Sequence, residues 1–335
     1  MHNFNHIQTA HCENGVTVNL LKNAGVDFMT EPLAFGLGSG LFYIHIPFMK
    51  VNNGPAISFR TMPGAIFNRT AKGLGIKVNR IKFSDEEKAM RYLDQLLVEN
   101  QLVGSQVGVF HLPYFPKEYR FHFNAHNILI YGKEEDRYLV SDPVMENVTS
   151  LSYDELKKVR FAKGALAPKG QLYFTKQQAQ VTEETLKKAI KKAIKRNVRD
   201  MLRIPGNIAG VKGIHYTARK VETWRTKLGE RQAALNLGQI VRMQEEIGTG
   251  GGGFRFIYAA FLEEASQILR VDELKLISEE MTQAGDLWRN SAVQMAGIYK
   301  GRLNTQADFM HAAEILHQIA EFEKSIFTKL GKVKL

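Results

Sequence analysis

The sequence predicts an α+β domain with an antiparallel sheet and a nucleophile-bearing first helix, followed by an all-helical domain. Short helix and strand signals alternate up to about residue 175, whereas from Thr182 onward apolar residues recur every three to four positions and strand signals vanish. The only cysteine, Cys12, opens a helix-like run, and a histidine and an aspartate stand far downstream on a predicted hairpin. The domains are expected at 1–178 and 179–335, as a chain of 335 residues favours two.

Cys12 to Ala24 places Val16, Leu20, Leu21 and Ala24 on one helical face, and Gly25 supplies the stop. The apolar stretch from Leu33 to Met49 is broken by Gly36, Gly38, Gly40, His45 and Pro47, which argues against a membrane span. Ala56–Phe59 reads as a strand and Gly64–Leu74 as a helix. Ser84-Asp85-Glu86-Glu87 caps a helix to Asn100, with Ala89, Met90, Leu93, Leu96 and Leu97 inward. Val107–Phe110 reads as a strand, and Phe123–Tyr131 with Arg137–Val140 as a hairpin joined through Gly132 to Asp136. Ser152-Tyr153-Asp154-Glu155 caps a short helix, and Gly170–Phe174 reads as a closing strand. In the second half, Leu186, Ile190, Ile194, Val198 and Met201 form the apolar face of a basic helix. Further helices are expected at 215–227, 231–246, 254–269, 272–299 and 307–328.

With 44% hydrophobic residues the chain can build a core, so global disorder is excluded. One cysteine excludes a disulfide framework and any multi-cysteine metal site. The 10 histidines show no metal-ligand spacing, and no cofactor pattern is present, so neither metal nor cofactor is expected. The start, Met1 to His6, lacks a basic and then apolar leader, and a cytoplasmic protein is expected. The net charge of +11 fits nucleic acid, an anionic membrane face or an acidic protein. The lysines from Lys187 to Arg203 are not interleaved with aromatics and no nucleic-acid module is present, so nucleic acid is not expected. That helix reads first as a solvated face and second as a docking surface for an acidic partner. Assembly into a homo-oligomer stays open.

A cysteine at a helix N-terminus feels the positive end of the helix dipole, which favours the thiolate, the reactive form. His126, in Ala125-His126-Asn127, sits on one strand of the predicted hairpin, and Asp142, in Ser141-Asp142-Pro143, follows the other. The hairpin makes positions 126 and 142 near cross-strand neighbours. The order of nucleophile, histidine and acid is that of papain-like cysteine enzymes. Taken singly, a lone cysteine also fits a small buried hydrophobe and a strand histidine a satisfied core residue; order, placement and the Asp-Pro ending bring the catalytic reading level with that one.

His11-Cys12-Glu13 through Phe35-Gly36-Leu37-Gly38-Ser39-Gly40, with Ala125-His126-Asn127 and Ser141-Asp142-Pro143, resembles the N-terminal domain of the butirosin biosynthesis protein H family. The His126…Asp142-Pro143 end also looks like the leader-cleaving cysteine peptidases fused to bacteriocin exporters. Gly248 to Arg255, with Tyr258-Ala259-Ala260-Phe261-Leu262, resembles the uncharacterised helical domain that often follows in that family. The family's founding member moves an amino-acyl group from a carrier protein's phosphopantetheine thioester onto an aminoglycoside amine. The resemblance therefore implies an acyltransferase of specialised-metabolite (antibiotic) biosynthesis, forming amides or esters through a Cys12 thioester. It implies an acidic acyl carrier protein as donor and a small-molecule amine or hydroxyl as acceptor. A papain-like peptidase or amidase using the same triad, with water as acceptor, is the rival expectation.

Gln8 lies before Cys12, where papain-like enzymes keep an oxyanion glutamine, although at shorter spacing. His11, Gly38 and Ser39 are candidate substrate contacts, the latter two on an expected flexible loop at 36–40. The glycines from Gly248 to Gly253 read first as a tight inter-helix turn and second as a phosphate cradle that Arg255 would assist.

Overall fold

The computed structural model describes residues 4–51, 54–175 and 180–335. In chain order the elements begin with α1 (Cys12–Asn23), α2 (Glu31–Leu37), β1 (Leu41–Val51), β2 (Gly54–Arg60), α3 (Ala65–Gly73) and β3 (Val78–Ile81). There follow α4 (Glu86–Val98), β4 (Val103–Val107), β5 (His126–Glu134), β6 (Arg137–Ser141), β7 (Thr149–Ser152), α5 (Tyr153–Arg160) and β8 (Leu172–Thr175). Six helices complete the described chain: α6 (Glu183–Leu202), α7 (Gly210–Leu228), α8 (Glu230–Val241), α9 (Arg255–Leu269), α10 (Glu273–Tyr299) and α11 (Gln306–Leu330). Among the described residues no helix is long and apolar enough to cross a membrane.

The chain forms two compact units, residues 1–34 with 63–186 and residues 35–62 with 187–335. The first is built on a six-stranded antiparallel sheet in the order β3-β8-β4-β5-β6-β7. Strand alternation gives the sheet two apolar faces. Ile128 and Ile130 of β5 pack with Val140 of β6, Met90 and Leu93 of α4 and Leu156 and Val159 of α5. Leu129, between them, packs with Val16 and Leu20 of α1, Phe67 of α3 and Tyr173 of β8. The predicted caps hold: Asp85 accepts from the Lys88 N–H at 2.7 Å, and Ser152 with Glu155 forms a capping box.

Three local readings change. The expected hairpin loop from Gly132 to Asp136 is mostly strand: Glu134 pairs with Arg137, and only residues 135–136 turn, Glu135 taking φ 50°. The strand read at Val107–Phe110 lies earlier, at Val103–Val107, and Val109–His111 is one 3₁₀ turn. Residues 36–40 are a loop only in part; α2 runs to Leu37, and 38–40 turn into β1, which starts at Leu41.

In the second unit β1 and β2 form an antiparallel hairpin beside α6 to α11. The expected boundary at 178/179 falls outside the described residues. Residues 35–62, expected with the N-terminal half, belong instead with the helices. The His45 N–H donates to the Ile208 carbonyl at 2.9 Å, Asn197 Nδ2 donates to the Leu41 carbonyl at 2.7 Å, and Tyr43 stacks on Trp288. From Glu183 onward the described elements are all helical.

Candidate active site

Cys12 is the first residue of α1, and His11 is its N-cap, with the His11 Nδ1 accepting from the Asn14 N–H at 3.3 Å. The sulfur therefore stands at the positive end of the helix dipole. The segment before it is pinned by the Glu31 carboxylate, which accepts from the Ala10 and His11 N–H groups, both at 2.9 Å, and from Asn14 Nδ2 at 3.2 Å. Burial raises the Glu31 pKa above its ordinary 4.5, against the pull of those hydrogen bonds. The Thr9 N–H donates to the Pro143 carbonyl at 2.7 Å, joining this segment to the chain just after Asp142.

His126 starts β5 and Asp142 directly follows β6. The last ladder pair is Leu129 with Ser141, so one step further sets Asp142 opposite Ile128, on the face His126 shares. The two side chains meet: His126 Nε2 lies 2.7 Å from Asp142 Oδ2, with Asp142 fully buried. Tyr114 Oη donates to the same oxygen at 2.8 Å, and the Val144 N–H donates to Oδ1 at 3.3 Å. The Phe115 ring stands edge-on to the imidazole at a centroid distance of 5.4 Å.

The imidazole also hydrogen-bonds the Cys12 side chain. With Nε2 on Asp142, Nδ1 is the nitrogen left for the sulfur. Burial works against a charged ring here, but the Asp142 carboxylate and the Cys12 sulfur outweigh it and push the His126 pKa up to about 10. Cys12 keeps 7% of its surface exposed. From the opposite side of β5, Asn127 Nδ2 approaches Cys12 Sγ at 3.8 Å, and Tyr173 Oη donates to Asn127 Oδ1 at 2.8 Å. Sulfur, imidazole and carboxylate thus form one connected cluster, suited to nucleophilic attack on an acyl carbon with proton transfer through the ring.

The other predicted contacts have the following surroundings. Gln8 is exposed in the irregular segment before α1. His11, expected at substrate, spends Nδ1 on capping α1. Gly38 and Ser39 are buried in the second unit, where Ser39 Oγ donates to the Ala193 carbonyl at 3.4 Å. Arg255, expected beside a phosphate, is wholly buried: Nε and Nη2 donate to Glu323 at 2.7 and 3.0 Å, and Nη1 donates to the Gly253 carbonyl at 2.7 Å. The glycine run is a turn with positive φ at Gly248 and Gly250–Gly253, buried at Gly251–Gly253 and exposed at Gly250. Its Gly252 N–H donates to the Glu245 carboxylate at 3.1 Å, so a carboxylate of the protein already sits where a phosphate was expected. Among the described residues no group of three or more His, Cys, Asp or Glu is arranged to hold a metal ion.

Four further residues surround the cluster: Asn127, Tyr173, Tyr114 and Glu31. Asn127 could have been found from the pleat, which turns the residue after His126 toward α1. Tyr173 follows from the same alternation in β8. Tyr114 lies in a turn between β4 and β5, and Glu31 opens α2, where an acidic residue in a first turn reads as ordinary helix chemistry.

A sequence model described as butirosin biosynthesis protein H, N-terminal, matches residues 11–143, a span that holds Cys12, His126 and Asp142. A second, described as a domain of unknown function (DUF4872), matches residues 154–330. No curated protein matches the chain. Among solved structures the chain is similar to a crystal structure described as a C39-like peptidase from Bacillus anthracis, at 14% identity and a TM-score of 0.36, over 53% of this chain and 96% of that one.

Proposed function

We propose that this chain, which belongs to the butirosin biosynthesis protein H family with its DUF4872 domain, is a cysteine acyltransferase. The observation that supports it most is the Cys12–His126–Asp142 cluster at the head of α1. The Cys12 thiolate attacks the carbonyl of an acyl thioester. A C–S bond forms, the donor's C–S bond breaks, and the departing thiolate takes the His126 proton. One thioester replaces another, so the step is nearly balanced. The acceptor amine then attacks the Cys12 thioester, the neutral imidazole takes the amine proton, and Cys12 leaves as thiolate, restoring the ion pair. Asp142 holds the ring in the tautomer both steps need, and the Cys12 backbone N–H is the proposed donor to the oxyanion.

The donor would carry phosphopantetheine on an acidic carrier protein. Lys188, Lys192 and Lys195 are exposed at helical spacing along α6, a basic stripe that suits such a partner. Incubation with a small acyl thioester, followed by intact mass, tests the reading. An acyl adduct absent from Cys12→Ala, and discharged faster by amines than by water, supports transfer. Faster discharge by water, or peptide cleavage without an adduct from thioesters, supports a hydrolase.

A further inference from the structure

Cys12 Sγ meets polar groups from two sides of the sheet. His126 reaches it from the face it shares with Asp142, and Asn127 reaches it from the face that packs on α1. Asn127 is 3% exposed and Tyr173 1%. The hydrogen-bond pattern fixes which way the amide points. Tyr173 Oη donates to Oδ1 at 2.8 Å, and Nδ2 donates to the Ala125 carbonyl at 3.1 Å, so neither end can be exchanged. Burial, reinforced by the nearby Glu13 carboxylate, lifts the Tyr173 hydroxyl well above its ordinary pKa of 10.0, so it stays a donor wherever the enzyme works. With one Nδ2 hydrogen on Ala125, the other is aimed at the sulfur, 3.8 Å away. A thiol is a weak acceptor, whereas a thiolate accepts strongly, so this N–H favours the anion.

We propose that the Asn127 carboxamide, locked by Tyr173, is a second donor that holds the Cys12 sulfur as an anion alongside His126. Its meaning for turnover rests on the acyl-transfer reading; the contact itself does not. Asn127 touches the reacting atom, and Tyr173 is a positioning residue that acts through it.

Thiolate ultraviolet absorbance followed against pH tests this, with Cys12→Ala as the blank, because Cys12 is the only cysteine of the chain. Asn127→Ala should raise the midpoint of thiolate formation by about one pH unit, and Tyr173→Phe should raise it by less. The isosteric Asn127→Asp, which keeps the packing but replaces the donor with an anion, should raise it further than Asn127→Ala. A midpoint unmoved in all three variants, while His126→Ala moves it, overturns the proposal and leaves the cysteine cluster standing. If His126→Ala does not move it either, the acyl-transfer reading fails as well.

Discussion

Gly15 of α1 faces Pro143 so closely that a β-carbon on residue 15 would lie 2.2 Å from the Pro143 Cβ. The helix that carries the sulfur and the turn that carries the acid are therefore in direct contact, and the Thr9 to Pro143 hydrogen bond of 2.7 Å ties them again. A methyl group cannot enter without moving one of them. Gly15→Ala should cost about 1–3 kcal/mol of stability, as overpacking does, and should slow Cys12 chemistry more than the stability loss alone explains. Denaturant titration beside alkylation kinetics would separate the two effects.

His126 carries the pH dependence. Its folded pKa, about 10, lies above the ordinary 6.5. The stabilising contribution of the charged ring is therefore fully present below pH 6.5 and is lost as pH rises through about 10. Asp142→Asn removes one of the two anions that sustain the charge. Its pH–stability curve should be flatter over that window than wild type, and turnover should fall at least about a hundredfold.

Glu31 is expected to act through the backbone. Its two oxygens serve the Ala10 and His11 N–H groups separately. Glutamine has one acceptor oxygen for these two donors, so Glu31→Gln should cost about 1–2 kcal/mol and leave the entry to α1 less ordered. Amide hydrogen exchange at residues 10–11 should quicken, and exchange rates equal to wild type would refute this role.

Arg255 should matter for stability and not for substrate affinity. Both it and Glu323 are fully buried, and Trp288 Nε1 donates to the same Glu323 oxygen at 2.6 Å. Arg255→Ala strands that carboxylate and should cost about 3–5 kcal/mol. The conservative Arg255→Lys should leave the KM for an acyl thioester unchanged in whatever fraction stays folded; a raised KM would restore the substrate-contact reading.

What was legible in the sequence follows from how local each signal is. The α1 helix, the Asp85 and Ser152 caps and the hairpin around residue 135 are written in neighbouring residues, and the hairpin alone brings His126 and Asp142 together. Strand β1 escaped because its alternation runs through His45, a buried polar residue, and is interrupted by Pro47. Strands β3 and β7 are four residues each and lie at the two ends of the sheet, where pairing on one side needs little sequence bias. That residues 35–62 pack with the helices is a tertiary choice, made by contacts such as Tyr43 on Trp288. Arg255 misled because a glycine run resembles an anion site, while its true partner, Glu323, lies 68 residues away.

If His126 keeps Cys12 as a thiolate, the pH dependence of Cys12 alkylation by iodoacetamide will report it. Wild type should react at near its full rate well below the ordinary thiol pKa of about 8.5, while His126→Ala should follow that ordinary thiol. Wild-type alkylation that rises only through about 8.5, and is unaltered in His126→Ala, would show that the imidazole does not hold the sulfur as an anion.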